Sequence, residues 1–240
     1  MKTNRNPKLR PQQERRIKNP YLLLLIFLLL LLTSYPYLTA WQGELLLTGI
    51  LTAILLACIY SVSEKRSTFW LGIGLSIPAF VQRSSEFLTS DLMGVEIRPP
   101  FSDLYSLPLF IFIVAHILRD ILNHKEVTGD TLRGAICLYL LLGVIWASLY
   151  TVIYDMDPNS FRGVETDTLG EEGVWRTLLF FSFVTLTTVG FGDIVPVHDS
   201  ARSLALLEST SGVLFIAILI SKLVSLHGGR NGIEKDADSP

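Results

Sequence analysis

The chain has 240 residues, half of them hydrophobic and 18% charged, with a formal net charge of -2. That near-neutral balance selects no partner by itself, and nothing in it points to nucleic acid. Long apolar stretches alternate with short polar ones, which excludes an ordinary soluble globule and indicates an all-α integral membrane protein. Cys58 and Cys137 both lie inside apolar stretches without metal-ligand spacing, so they read as small packing residues.

Residues 1–20 form a basic arm: Lys2, Arg5, Lys8, Arg10, Arg15, Arg16 and Lys18 stand against Glu14, with Pro7, Pro11 and Pro20 between and after them. The arm is a topology signal and, secondarily, a candidate contact for anionic membrane lipid. An apolar segment comes next, over 21–37. A cleaved signal peptide is the rival reading, but Leu38-Thr39-Ala40 is a poor cleavage site because the third residue back should be small.

Further apolar segments cover about 44–62, 69–82, 105–122, 132–154 and 203–226. At ~1.5 Å per helical residue, most can cross ~30 Å of hydrocarbon. The expectation is therefore six transmembrane helices, the first four forming a region over 21–124 and the last two a unit over 131–227, with a short tail at 228–240. Within the third, Gly72-Ile73-Gly74 is no nucleotide fingerprint, since it has no third glycine and no strand pattern; small residues for close helix approach are the simpler reading. Fifteen of the 20 basic residues fall on one side if the N-terminus is cytoplasmic, which predicts cytoplasmic termini in a multi-pass protein of the cell membrane.

The fourth segment contains Arg119 as its single arginine, at the cytoplasmic end where snorkelling explains it. A voltage sensor needs several such charges, because each contributes only ~2.3 kcal/mol per 100 mV. His116, in the inner part of the same segment, reads as a helix-packing histidine ahead of any proton or ion site.

Between the fifth and sixth segments lies an acidic stretch with Asp155, Asp157, Glu165, Asp167, Glu171 and Glu172, then an apolar run over 174–187 too short to span. A run of ~10–14 apolar residues suits a re-entrant helix, tolerated at membrane depth only when enclosed by protein or lining a wet cavity. Glu171 and Glu172 fall at its N-terminal end, where carboxylates favour the helix dipole. Its C-terminal end directs partial negative charge at the next few residues.

Those residues are Thr187-Thr188-Val189-Gly190-Phe191-Gly192-Asp193. A K⁺ ion leaving water needs its hydration oxygens replaced. Backbone carbonyls of Thr188, Val189, Gly190 and Phe191, with the Thr188 hydroxyl, can supply them as stacked rings. Gly190 and Gly192 give the backbone freedom that turning successive carbonyls to one axis demands. One chain provides one strand of such a filter, so a homotetramer is expected, with K⁺ as permeant ion and no cofactor.

The stretch from Trp175 to Pro196, between two spans, resembles the pore domain of potassium channels; the likeness covers roughly 133–226, and the whole chain resembles compact prokaryotic six-transmembrane potassium channels. The resemblance implies a filter of Thr188 to Asp193 supported by Trp175, Phe180, Phe181, Val184 and Thr187. Phe191 replaces the commoner tyrosine, so no phenol can tie the filter to its helix. Phe180 and Phe181 align where many relatives carry a tryptophan pair, and Val184 where some carry glutamate, so Asp193 lacks its usual partner.

In the sixth segment Glu208 is an intramembrane carboxylate with two readings, a hydrogen bond behind the re-entrant helix or a role in attracting ions. Gly212 aligns with the hinge glycine of many potassium channels, and Val213, Ile216, Ile220 and Val224 recur at helical spacing as an apolar gate or, equally, a packing face. Three functions remain open: a K⁺-selective channel, a weakly selective cation channel, and a transporter or uptake subunit using His116 and Glu208. Known uptake subunits with filter-like loops carry four per chain, whereas this chain has one, and no inverted repeat is visible. An enzyme reading has no nucleophile, metal cluster or phosphate loop to carry it.

Overall fold

The computed structural model describes residues 20–34, 53, 70–79, 81, 102–123, 128–164 and 170–237. The arm at 1–19 and all but residue 53 of the segment at 44–62 lie outside the described residues, as do the side chains of Glu171, Glu172 and Val224.

The helices are α1 (Pro20–Ser34), α2 (Trp70–Ala79), α3 (Leu107–Asn123), α4 (Gly129–Met156), α5 (Gly170–Leu186) and α6 (Asp199–Ala237). Helix α1 opens on Pro20, whose missing N–H would be unpaired there anyway. Its Tyr21, Leu24, Leu28 and Leu31 recur at helical spacing and are buried, while Leu22, Leu23 and Ile26 face outward. Helix α3 comes after a 3₁₀ turn at Ser102–Tyr105 and buries Leu107, Phe110, Ile113, Ile117 and Ile121 in the same manner. In α2, a Cβ added at Gly74 would meet nothing within 4 Å, so no close helix approach uses that glycine among the described residues.

Helix α4 is the hub of the fold. It begins on a capping box: Thr131 N–H donates to Thr128 Oγ1 at 3.2 Å and Thr128 N–H to Thr131 Oγ1 at 3.4 Å, with threonine standing where glutamate is commoner. Asp157 ends it, its N–H donating to Ile153 O at 3.0 Å. The same residue caps the next turn, Pro158–Ser160, by accepting Asn159 N–H at 2.9 Å. Residues of α1, α3, α4 and α5 build one apolar core; Tyr150, Tyr154, Phe161, Val174, Leu178, Phe181, Ile194 and Ala201 build a second beside it.

Among the described residues, two helices are long and apolar enough to cross a membrane: α4 and the Asp199–Lys222 part of α6. Their surroundings differ sharply, with 56% of the apolar window buried in α4 and 11% in α6. Helix α6 also runs on to Ala237, so most of the stretch expected as a tail is helical backbone.

Candidate functional site

Helix α5 starts at Gly170, four residues before the apolar run does, and puts Glu171 and Glu172 in its first turn. It is seated between α4 and α6 by contacts that require small residues. A Cβ on Gly143 would lie 2.7 Å from Phe183 Cζ, and one on Gly212 would collide with the backbone oxygen of Leu186 at the end of α5. Tyr139 OH of α4 donates to that same Leu186 O at 3.3 Å. Glu208 of α6 is fully buried behind α5: Tyr150 OH donates to its Oε2 at 2.5 Å, and Ser182 Oγ lies 2.5 Å from its Oε1. Of the two readings of Glu208, the structure shows the contacts of the first, hydrogen bonds behind α5.

The last turn of α5 holds the loop beyond it. Thr188 N–H donates to Thr185 O at 2.9 Å, Val189 N–H to Val184 O at 2.9 Å and Gly190 N–H to Val184 O at 3.3 Å. Thr187 turns its hydroxyl back to Phe183 O at 2.6 Å. Beyond this anchor the sign of φ alternates: Thr188 (60°), Gly190 (60°) and Gly192 (80°) are positive, while Val189 and Phe191 are not. Alternation of this kind cancels the strand-like flip of successive peptides and lets their carbonyls point one way. For Thr188 the conformation is strained, since a β-branched residue rarely enters the left-handed region.

The outer end of the loop is fastened separately. Ile194 is buried in the second core, and Asp193 Oδ1 accepts its N–H at 3.0 Å. A two-stranded antiparallel ribbon, β1 (Phe161–Arg162) and β2 (Val195–Pro196), pairs Phe161 with Pro196 and Arg162 with Val195. Gly163, at φ 90°, brings the backbone after β1 directly against Asp193 O. Ser160 O accepts Val197 N–H at 2.8 Å, and His198 Nε2 lies 3.3 Å from Asp157 Oδ2. Between these anchors the loop is open. Val189 and Phe191 are 55% and 68% exposed, and a Cβ at Gly190 or Gly192 would meet nothing within 4 Å.

The residues expected to support the loop divide into groups. Phe180 stacks on Phe191, with centroids 6.1 Å apart and planes 4° apart. Phe181 instead enters the second core edge-on to Tyr150 and Phe161. Trp175 is buried in the first core, and Val184 is buried beneath the loop. Val213, Ile216 and Ile220 are exposed on α6, whereas Phe215 and Leu219 turn toward the first core. His116 is half-buried on α3, its ring 6.4 Å from Phe112. No group of three His, Cys, Asp or Glu able to hold a metal occurs among the described residues.

Sequence reasoning missed Gly143, Tyr150, Ser182 and Gly163. Three of them sit inside the apolar runs of α4 and α5 with nothing to distinguish them from packing residues. Gly163 alone had a signal, a glycine in a polar loop.

Residues 134–227 match the Ion channel family. The relatives found include a two-pore potassium channel of Arabidopsis thaliana (Two-pore potassium channel 4), 30% identical over 88 residues. The voltage-gated potassium channel Kch of Escherichia coli is 29% identical over 129 residues, and Two pore potassium channel b of rice is 46% identical over 86. Residues 134–227 are therefore similar to an ion-channel domain, and these relatives are potassium channels. The matches cover 37%, 53% and 35% of this chain, and 29%, 28% and 20% of the respective relatives, so the chain spans about a third or less of their length.

Proposed function

We propose that four copies of this chain assemble around one axis as a K⁺-selective channel. Each contributes Thr188, Val189, Gly190, Phe191 and Gly192 to the filter, with K⁺ the permeant ion. The observation that carries the reading is the alternating φ at Thr188, Gly190 and Gly192, on a loop anchored at both ends and open in its middle. An open filter face and an α6 with only 11% of its membrane-length apolar stretch buried are what a subunit of a closed ring leaves for its neighbours.

In this reading α4 is the outer helix, α5 the pore helix and α6 the inner helix. The chain crosses the cell membrane six times, both termini are cytoplasmic, and the basic arm meets anionic lipid. Glu208 is enclosed by Tyr150 and Ser182, which removes it from the aqueous path that a transporter would need. Weak cation selectivity is the competing reading, motivated by Phe191, which has no hydroxyl, and by Asp193, which accepts the N–H of its own neighbour Ile194.

The test is bi-ionic reversal in planar bilayers containing the purified chain. The expected result is a reversal potential that tracks the K⁺ gradient, with block by Ba²⁺. Reversal near zero with K⁺ opposing Na⁺ would falsify K⁺ selectivity and leave the weakly selective channel. Turnover at transporter rates, without unitary current steps, would replace both.

A further inference from the structure

We propose that Glu208 is a positioning residue for the filter: it ties the inner helix to the pore helix through Ser182 and to the outer helix through Tyr150. The inference rests on the pore reading above and extends it to what keeps the filter in its conducting form.

The geometry is specific. Glu208 is fully buried, and both its carboxyl oxygens are engaged at 2.5 Å, Oε2 by Tyr150 and Oε1 by Ser182. Ser182 Oγ also lies 2.8 Å from Gly143 O, so one side chain of α6 reaches two sites on α4, one directly and one through α5. Ser182 sits one turn or less before Val184, whose carbonyl accepts the N–H groups of Val189 and Gly190. A chain of contacts therefore runs from α6, through the hidden face of α5, to the filter backbone. On the same side of α5, Gly212 abuts Leu186 O, so α6 cannot shift along α5 without disturbing both contacts.

Proton counting sharpens the test. A serine hydroxyl has one proton to give, and Ser182 faces two acceptors, Gly143 O and Glu208 Oε1. An amide at 208 accepts from Tyr150 through its oxygen and donates to Ser182 Oγ through its nitrogen. The Ser182 proton then goes to Gly143 O. Glu208→Gln therefore keeps all the contacts, whereas Glu208→Ala loses two and Ser182→Ala breaks the link to α5 alone.

The experiment compares the full-length wild type with Glu208→Gln, Glu208→Ala, Ser182→Ala and the Glu208→Ala/Ser182→Ala double variant in planar bilayers. It measures unitary conductance, open time and reversal potential of assembled channels. Glu208→Gln should keep wild-type open times. Glu208→Ala and Ser182→Ala should each shorten them at least about tenfold, since each removes one buried hydrogen bond or more. The double variant should fall short of the product of the two single effects, because both single variants remove the shared Glu208–Ser182 contact.

Wild-type open times in both alanine variants would overturn the proposal. So would reduced conductance with unchanged open time in Glu208→Gln, which would make Glu208 a charge acting on the ion path. If Glu208→Ala does not assemble, Ser182→Ala decides by the same criterion. A wild type that passes Na⁺ as readily as K⁺ would refute the K⁺ reading, while the ranking of open times would still decide this one.

Discussion

Gly190 and Gly212 both lie in the stretch that matches the Ion channel family, yet they answer to different constraints. At Gly190 space is free and only φ, at 60°, resists a side chain. Gly190→Ala places an L-residue in the left-handed region at about 1–2 kcal/mol per copy, and it should abolish K⁺-selective current while leaving the assembled complex intact on size exclusion. At Gly212 the constraint is contact: a Cβ collides with Leu186 O, backbone that cannot swing aside. Alanine at 212 gains about 1 kcal/mol of helix propensity but overpacks the joint at about 1–3 kcal/mol. Gly212→Ala should therefore lower the thermal midpoint of the detergent-solubilised protein, and an unchanged or raised midpoint would restore a purely flexible hinge. The loop over 187–193 stood out in the sequence because the chemistry of a K⁺ filter, which it is proposed to form, restricts residue types over a few adjacent positions. The partners of Glu208 were not, because Tyr150 is 58 and Ser182 26 positions away and neither differs from its helical neighbours in pattern.

Among the elements, the helices announced themselves through apolar runs, and their ends came from signals the runs do not contain. Thr128 and Asp157 extend α4 beyond its apolar stretch at both ends, and α5 begins at Gly170 among polar residues. The ribbon of β1 and β2 was invisible because two-residue strands have no periodicity to read. Helix α6 is the element whose function its packing most directly informs. Val213, Ile216 and Ile220 lie on exposed positions, as do Leu214 and Ile218, while Phe215 and Leu219 engage the core; the first three are the ones proposed to form an axial apolar constriction. Ile220→Ser, and by the same spacing Val224→Ser, should raise resting open probability by wetting that constriction. Intracellular quaternary ammonium ions should reach the cavity more slowly when the channel is closed. Equal access in both states would move the gate to the filter.

For the protein as a unit, the sequence says more about what does not drive opening than about what does. With Arg119 the one arginine of the fourth segment, open probability should change only weakly from strongly negative to strongly positive potentials. A steep curve equivalent to several gating charges would contradict this and would place the moving charge in the filter.

The glycine contacts that seat α5 bear on how the channel is made. Gly143 against Phe183, Gly212 against Leu186 O, and Tyr139 bonded to the same oxygen all join helices of one chain. The ribbon at the outer end of the filter is likewise made within one chain. If four copies assemble as proposed, each subunit brings a loop anchored by its own helices, and assembly aligns four such loops around an axis. In that assembly the step left to complete is lateral encounter within the bilayer, so the rate of channel formation should rise with subunit density, and a rate independent of density would count against it.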